Sequence, residues 1–204
     1  MLSVPPRRFL ILVVLLATLL SALVFRLHTS KFFGDQRPAK ASATTIQSPS
    51  LILWAWKRPE DLTFVDPEKT GVAYLAKTVF LRGPSIVTKP RLQPLSLAAG
   101  TTVIPVARIE TDKENPPALS VDQAKEAASE LSKLALLPNV STVQIDFDAT
   151  SSQHQFYRAL LIELRHRLPA NTKLSITALA SWCQGDNWFA DLPIDEAVPM
   201  LFRM

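Results

Sequence analysis

The stretch VSTVQIDFDA, residues 140–149, decides the fold class of this chain. Read with the two-residue period of a β-strand, one of its faces is apolar and the other carries two carboxylates. The apolar face takes Val143, Ile145 and Phe147, and the polar face takes Gln144, Asp146 and Asp148. A helical pattern precedes this strand and another follows it, which is typical of a parallel strand in an α/β protein. Such a strand is buried on both faces, so its polar face is not simply the solvent side.

Two amphipathic helices are predicted around this strand. The first begins at Ser120, with Gln123 as its capping-box partner, and ends before Pro138. The second is capped by Ser151 or by the serine after it, and it ends before Pro169. Successive strand–helix–strand units of this kind build a parallel sheet with right-handed crossovers.

Short apolar runs predict the remaining strands. They cover residues 51–56, 71–81, 101–110, 173–180 and 197–204, with a shorter candidate at 85–89. Pro105 removes one ladder donor, so we expect a bulge or an edge position there. Five or six strands fit a partial (β/α)₈ TIM-barrel-like α/β domain, because a complete barrel needs eight strands and usually about 250 residues. An open doubly wound sheet also accommodates this number.

The N-terminal segment predicts a membrane helix. Residues 9–25 are apolar and uncharged, and as a helix they span roughly 25 Å, slightly less than the hydrocarbon core of a bilayer. Two interpretations remain for residues 1–26: an uncleaved signal anchor or a secretory signal peptide. The lack of a clear A-x-A site after the run favours the anchor. Residues 27–50 resemble a flexible linker, and the folded domain is expected to cover residues 51–204.

The basic charge of the chain is concentrated in this N-terminal segment. Residues 1–50 hold six basic side chains and one acidic side chain, whereas the rest of the chain has a net charge of −1. A nucleic-acid-binding face is therefore not expected on the folded domain. Arg7 and Arg8 precede the apolar run and favour a cytoplasmic N-terminus, with the C-terminal domain exported across the membrane.

The sequence carries no cofactor or metal motif. Glycine is scarce, at 5 residues, and no G-x-G-x-x-G, P-loop or G-x-S-x-G motif occurs. Cys183 is the only cysteine, which excludes an intramolecular disulfide and a thiolate zinc cluster. The three histidines form no constellation, and His154, on the second predicted helix, is expected to be solvated. We therefore expect neither a cofactor nor a metal; the alternative, a metal site at the two carboxylates of residues 146 and 148, lacks a convincing third ligand.

All four tryptophans fall at the ends of predicted strands or in the loops after them: Trp54, Trp56, Trp182 and Trp188. In a parallel α/β fold these strand ends share one rim, where ligands bind. An indole stacks on the apolar face of a sugar while carboxylates bond its hydroxyls, so a carbohydrate is the expected ligand. The alternative is that Trp54 and Trp56 serve only as core and rim packing.

Asp146 and Asp148 are the candidate acidic centre, two residues apart on one strand face. A glycosidase uses one carboxyl as an acid and a second as a base or nucleophile, and Glu196 is a further candidate acid. The deeper Asp146 is expected to have a pKa raised by desolvation and by its neighbour. Alternatively, the two aspartates cap the following helix or hold an arginine. The candidate partners at predicted strand ends are Arg58, Arg108 and Arg203, of which Arg58 and Arg203 are also candidate ligand-binding residues.

Four motifs of this chain resemble DUF3142, a family of uncharacterised bacterial proteins. They are WAWKRPEDL (residues 54–62), VQIDFDA (143–149), LSITALASWC (174–183) and DEAVPMLFRM (195–204). The resemblance covers about residues 50–204 and implies a bacterial protein. Together with the N-terminal apolar run and its arginines, this predicts an inner-membrane protein with its domain in the periplasm, or a secreted periplasmic protein if the signal is cleaved.

The family brings no established activity, and its similarity to glycoside-hydrolase-like barrels is an analogy of fold. Family members continue past the Phe-Arg-Met segment, so we expect a chain truncated at its C-terminus. Three alternatives remain: a fragment, a truncated gene product, or a piece whose barrel a second chain completes. Three functions remain open: a glycan-directed hydrolase-like enzyme, a non-catalytic envelope module that binds a glycan or a protein, or a truncated product without independent function.

Overall fold

A computed structural model of the chain describes residues 49–184 and 187–201. The predicted anchor at residues 9–25 lies outside this part, as do almost all of the predicted linker at 27–50 and Arg203. Within the described residues, no helix combines the length and apolarity needed to span a bilayer.

The described residues form nine β-strands and two α-helices. The strands are β1 (Leu51–Ala55), β2 (Glu60–Leu62), β3 (Thr70–Arg82), β4 (Ser85–Pro90), β5 (Leu95–Leu97), β6 (Val103–Thr111), β7 (Thr142–Asp146), β8 (Lys173–Leu179) and β9 (Glu196–Met200). The helices are α1 (Val121–Ser132) and α2 (His154–Arg167). Short 3₁₀ helices cover Lys133–Leu136, Ser151–Gln153, Ala180–Gln184 and Asn187–Phe189.

Six parallel strands, in the order β1-β3-β6-β7-β8-β9, curl into a half barrel. Strand β4 pairs antiparallel with the second half of β3, and β2 and β5 form a separate two-stranded parallel sheet. Helix α1 connects β6 to β7, and α2 connects β7 to β8. This architecture agrees with the predicted partial barrel of five or six strands.

Three connections between neighbouring barrel strands contain no α-helix. The small β2–β5 sheet lies within the first two, and Arg91 anchors this region by donating to the carbonyls of Trp56, Arg58 and Gln93. The β8–β9 connection instead uses 3₁₀ turns, which α2 holds through Arg158, whose guanidinium donates to the carbonyl of Trp188 at 2.6 Å. Side-chain hydrogen bonds to loop carbonyls thus fix segments that have no helical ladder of their own.

Strand β7 is buried on both faces, as the helical patterns on either side of it predict. No residue from Val143 to Phe147 is more than 3% exposed. The apolar residues of this strand pack against the two helices, together with buried residues of β3, β6 and β8. The opposite face, called the inner face below, carries the polar side chains. In the central strands it takes Arg108, Gln144, Asp146, Ser175 and Thr177.

Pro105 lies inside the half barrel, because β6 pairs with both β3 and β7. The edge position considered for it is therefore wrong. A bulge does occur nearby, but in β3, where the register shifts by one residue between Leu75 and Lys77. The bulged Ala76 turns its carbonyl toward the amide of Arg91, 2.9 Å away.

Gln123 ties the start of α1 to the β3–β4 hairpin. The Ser120 hydroxyl accepts a hydrogen bond from the backbone amide of Gln123, as the predicted cap requires. The side-chain oxygen of Gln123, however, accepts from the backbone amide of Leu119 rather than from that of Ser120. The fully buried Gln123 amide group also donates to the carbonyls of Gly83, at 3.0 Å, and Ser85, at 2.8 Å. Gly83 has a φ of +49°, which a glycine adopts without strain in this two-residue turn.

The N-cap that precedes α2 is one residue earlier than predicted. Thr150, rather than Ser151 or Ser152, caps the 3₁₀ turn Ser151–Gln153 that leads into the helix. The Gln153 side chain completes a capping box by accepting from the Thr150 amide at 2.9 Å. The extended Thr150 backbone explains the difference, because an N-cap needs β-region dihedral angles.

Candidate functional site

Arg108 lies at the centre of a group of carboxylates near the C-terminal ends of β6 and β7. Its Nη1 donates to Asp146 Oδ2 at 2.9 Å, and its Nε donates to Glu110 Oε1 at 3.0 Å. Its Nη2 lies 3.8 Å from Asp148 Oδ2. We call these four residues the Arg108 cluster. One planar guanidinium therefore orients three carboxylates from two neighbouring strands.

The period and register of the parallel strands bring this cluster together. Arg108 and Asp146 are direct partners in the β6–β7 ladder, so their side chains leave the sheet on the same face. Glu110 follows Arg108 by two residues within β6, so it points the same way. Asp148 lies two residues beyond the end of β7, and its contact with Arg108 Nη2 places it at the same site. In a barrel of this kind, the C-terminal ends of the strands are where active sites are built.

Asp146 is the buried member of the cluster, at 2% exposure. Its Oδ1 accepts from Thr177 Oγ1 of β8 at 2.8 Å, so both of its oxygens have a donor. Burial raises the pKa of Asp146, while the bonds to Thr177 and Arg108 oppose this rise and the charge of Asp148 adds to it. The occupied oxygens and the burial suit a residue that positions Arg108.

Asp148 and Glu110 are the accessible members, with side chains 35% and 31% exposed. Their contacts to nitrogens of one guanidinium hold the two carboxylates less than about 10 Å apart, and the carboxyl pairs of glycosidases are separated by about 5–9.5 Å. Lys57 also approaches Glu110 Oε1, at 3.6 Å. Two accessible acids therefore lie at the same guanidinium, one bound to its Nε and one close to its Nη2.

Trp54 and Trp56 form an aromatic surface beside the cluster. Their ring centroids are 5.6 Å apart, with the planes tilted by 31°. The Arg108 guanidinium lies 5.8 Å from the centroid of the Trp56 ring, within the range of a cation–π interaction. Trp54 remains more than a third exposed. The structure thus places Trp56 beside Arg108, with Trp54 next to Trp56.

The comparison with protein families matches residues 100–199 to DUF3142, described as a domain of unknown function. Residues 100–199 belong to the DUF3142 family. The matched range contains all four members of the Arg108 cluster, whereas Trp54 and Trp56 precede it. No curated protein and no solved structure matches the chain.

Trp182 lies apart from the Arg108 cluster of the DUF3142 domain. It is 6% exposed and packs edge-on against Trp188, with a centroid distance of 4.9 Å. His154 stacks on the same Trp188 ring at 3.8 Å, so the expectation of a solvated histidine is wrong. These aromatic residues join the core that packs on α2, because the 3₁₀ turns after β8 direct their rings toward the helix.

Glu196 and Arg58 also lie outside the cluster. Glu196 is the first residue of β9 and accepts from Ser175 Oγ at 2.9 Å. Ser175 precedes the Asp146 partner Thr177 by two residues, so Glu196 lies one layer deeper along the strands. Arg58 is an exposed residue that approaches Glu60 at 3.8 Å. Arg203 is outside the described residues.

Sequence reasoning missed Glu110, Thr177 and Lys57 as neighbours of the acidic pair. Glu110 carried a usable signal, because the R-x-E spacing at a strand end places it on the same face as Arg108. Thr177 is recognisable only from the register of β7 against β8. Among the described residues, no group of three or more His, Cys, Asp or Glu side chains is arranged to hold a metal ion.

Proposed function

We propose that the folded domain, which contains the DUF3142 match, binds a glycan on the inner face of its half barrel and cleaves a glycosidic bond at the Arg108 cluster. One observation carries the proposal: a single guanidinium holds two accessible carboxylates beside Trp56 at the C-terminal ends of the barrel strands. A sugar ring has an apolar face that stacks on an indole and hydroxyls that bond to carboxylates.

In this proposal, Asp148 and Glu110 perform the chemistry. One carboxyl group protonates the oxygen of the leaving sugar, and the other acts as base toward water or as nucleophile toward the anomeric carbon. Asp146 does not touch the substrate. It is a positioning residue that fixes the Arg108 guanidinium, since its own oxygens already accept from Arg108 and Thr177.

The test uses the full-length chain with a panel of soluble neutral and uronate-containing oligosaccharides, with product release measured by chromatography. Asp148→Asn and Glu110→Gln are each expected to lower the turnover of any active glycan by about 10²-fold or more, because each removes a proton-transfer group. Glu126→Gln, on the exposed face of α1, is the matched control and should leave turnover unchanged. Turnover within twofold of wild type in both site variants would mean that the site is misassigned.

A second candidate function is glycan binding without cleavage. The observation that favours it is that Arg108 pairs with all three carboxylates of its cluster, which suits a fixed hydrogen-bonding surface. This alternative predicts a change of tryptophan fluorescence on glycan addition, lost in Trp56→Ala, with no product after prolonged incubation. Any cleaved product that requires Asp148 excludes it.

We further propose that the domain acts outside the cytoplasm of a bacterium, tethered to the inner membrane by residues 9–25. The uncharged apolar run and the arginines before it support this location. Fractionation of cells and protease treatment of spheroplasts test it: a tethered domain is digested from outside and sediments with membranes. A chain released to the soluble periplasm would instead indicate a cleaved signal, and a chain protected in intact spheroplasts would refute export.

A further inference from the structure

A second recess opens beside the Arg108 cluster, between the β3–β4 hairpin and the loop after β6. We call it the rim cleft. Its volume is about 430 Å³. Six of its residues carry the argument: Phe80, Arg82, Lys89, Asp112, Lys113 and Glu114.

The rim cleft is continuous with the Arg108 cluster through the sheet. Phe80 of β3 is the ladder partner of Glu110, which accepts from Arg108 Nε. Lys89 of β4 is the partner of Thr78, which in turn is the partner of Arg108. Partners in a ladder project to the same face, so the cleft and the cluster share the inner face. A ligand with more than one ring can therefore extend from one to the other.

Two of the charged groups around the rim cleft are occupied within the protein. Arg82 Nε lies 2.9 Å from Asp112 Oδ2. The other oxygen of Asp112 accepts from the backbone amides of Glu114, at 2.9 Å, and Asn115, at 3.2 Å. Asp112 therefore fixes the turn that presents Lys113, and its charge is offset by Arg82.

The remaining charges leave a positive surplus. Lys89 and Lys113 form no ion pair among the described residues, and Glu114 is the remaining carboxylate of the cleft. The Lys89 ammonium lies 4.8 Å from the centroid of the Phe80 ring, and this cation–π contact holds it at the cleft rather than in open solvent. Two cations against one acid, beside an aromatic ring, favour an anionic ligand.

We propose that the rim cleft binds the anionic group of an acidic sugar, one or more units along from the sugar held at the Arg108 cluster. This inference rests on the proposed function, because it specifies the substrate class of that same inner face. Lys89 and Lys113 supply the attraction for a uronate carboxylate or a sulfate ester. The two sources share the same chemistry at a lysine, which acts as a point charge.

Calorimetric titration of the full-length chain tests the proposal with three probes of equal length: an oligogalacturonate, a sulfated oligosaccharide and a neutral oligosaccharide. Wild type should bind an anionic probe, with an affinity that falls as salt is raised. The double variant Lys89→Gln/Lys113→Gln should lose at least tenfold in that affinity and keep its affinity for the neutral probe. The anionic probe that binds with the higher affinity identifies the natural group as the carboxylate or the sulfate ester.

Lys125→Gln is the matched control, because it removes the same charge from the exposed face of α1. Lys125→Gln should change the affinity for each probe by less than twofold. Lys89→Arg keeps the positive charge, so it should bind the anionic probe as wild type does. Binding of anionic probes that is unaffected by the double variant, equal binding of the neutral probe, or no binding of either anionic probe would overturn the inference. Asp148→Asn separates the two proposals. It should lose turnover if the proposed hydrolysis is right, and it should retain anion binding if the rim cleft is right.

Discussion

Arg108 Nη1 lies 2.9 Å from Asp146 Oδ2, and this pair joins β6 to β7 through side chains as well as through the backbone ladder. The relationship is asymmetric. Asp146 is buried, whereas the Arg108 side chain keeps 27% of its surface exposed and reaches two further acids. Asp146 therefore depends on Arg108 for a counter-charge more than Arg108 depends on Asp146.

The first prediction concerns the loss of this guanidinium. Arg108→Ala leaves the Asp146 carboxylate buried without its cation, so we expect a loss on the order of 3 kcal/mol in the free energy of unfolding at neutral pH. Arg82→Ala is the control, since it breaks an ion pair in which the arginine is about half exposed, and it should cost less than about 1 kcal/mol. Urea denaturation measures both, and equal effects would show that burial of Asp146 does not matter.

The second prediction follows from the raised pKa of Asp146. Between its ordinary value of 3.8 and the raised value, the folded state binds more protons than the unfolded state, so the Asp146 contribution to stability falls as pH rises through that interval. Other acids shift the opposite way, so the quantity to measure is the unfolding free energy of wild type minus that of Asp146→Asn.

This difference should decline from about pH 4 upward until Asp146 is fully ionised. A difference that increases with pH would mean that Arg108 and Thr177 outweigh desolvation, and that the pKa of Asp146 is lowered rather than raised.

The third prediction concerns Tyr157, whose hydroxyl is buried and has no hydrogen-bond partner among the described residues. An unsatisfied buried hydroxyl costs about 1–3 kcal/mol, so Tyr157→Phe should stabilise the domain by up to that amount at neutral pH. Thermal and urea unfolding measure the change. A loss of more than 1 kcal/mol would reveal a hydrogen bond to this hydroxyl.

Tyr157→Phe should also change how the free energy of unfolding depends on pH in the alkaline range. Burial, followed by the charges of Asp146 and Asp148, raises the pKa of Tyr157 well above 10.0. Above pH 10 the unfolded chain loses this proton while the folded chain keeps it, so wild-type stability falls as pH rises. Tyr157→Phe should flatten this fall, whereas Phe156→Leu, at a neighbouring buried position, should leave its slope unchanged.

The fourth prediction concerns Gln123. Replacement by leucine removes three hydrogen bonds and leaves the Gly83 and Ser85 carbonyls without this donor, so we expect a loss on the order of 3 kcal/mol. Gln123→Glu keeps the shape but sets a carboxylate oxygen against the two carbonyls, and should be at least as damaging. Glu126→Leu, on the exposed face of the same helix, is the control. Backbone amide hydrogen exchange in the β3–β4 hairpin should become faster in the Gln123 variants but not in Glu126→Leu.

Much of the fold follows from local sequence patterns. The alternation in residues 140–149 predicts a strand, the helical patterns on either side of it predict that both faces are buried, and the serine and proline signals bound α1 within a few residues. The helix-free connections were not predictable in this way, since Arg91 and Arg158 hold them through bonds to carbonyls about 30 residues away in sequence.

The candidate site was only half predictable for a related reason. Asp146 and Asp148 emerged from the period of their own strand, and Arg108 was one of three possible partners. Choosing among the three requires the register of β6 against β7, which relates residues 38 apart. Trp182 differed because its ring direction is set by a 3₁₀ turn, where the strand period no longer applies.

The bond between Gln123 and the hairpin turn also means that this part of the nascent chain cannot complete its folding until Gln123 has been synthesised. Gly83 is synthesised 40 residues before the Gln123 side chain, which gives its carbonyl a second donor beside the Ala118 amide, a delay of roughly 2–8 s at ordinary rates of translation. Until then the β3–β4 hairpin lacks the clamp that holds it to α1. A nascent chain that stalls before residue 123 therefore has only the backbone bonds of Gly83 to Asn115 and Ala118 at this turn, and it lacks the side-chain bond that ties the hairpin to α1.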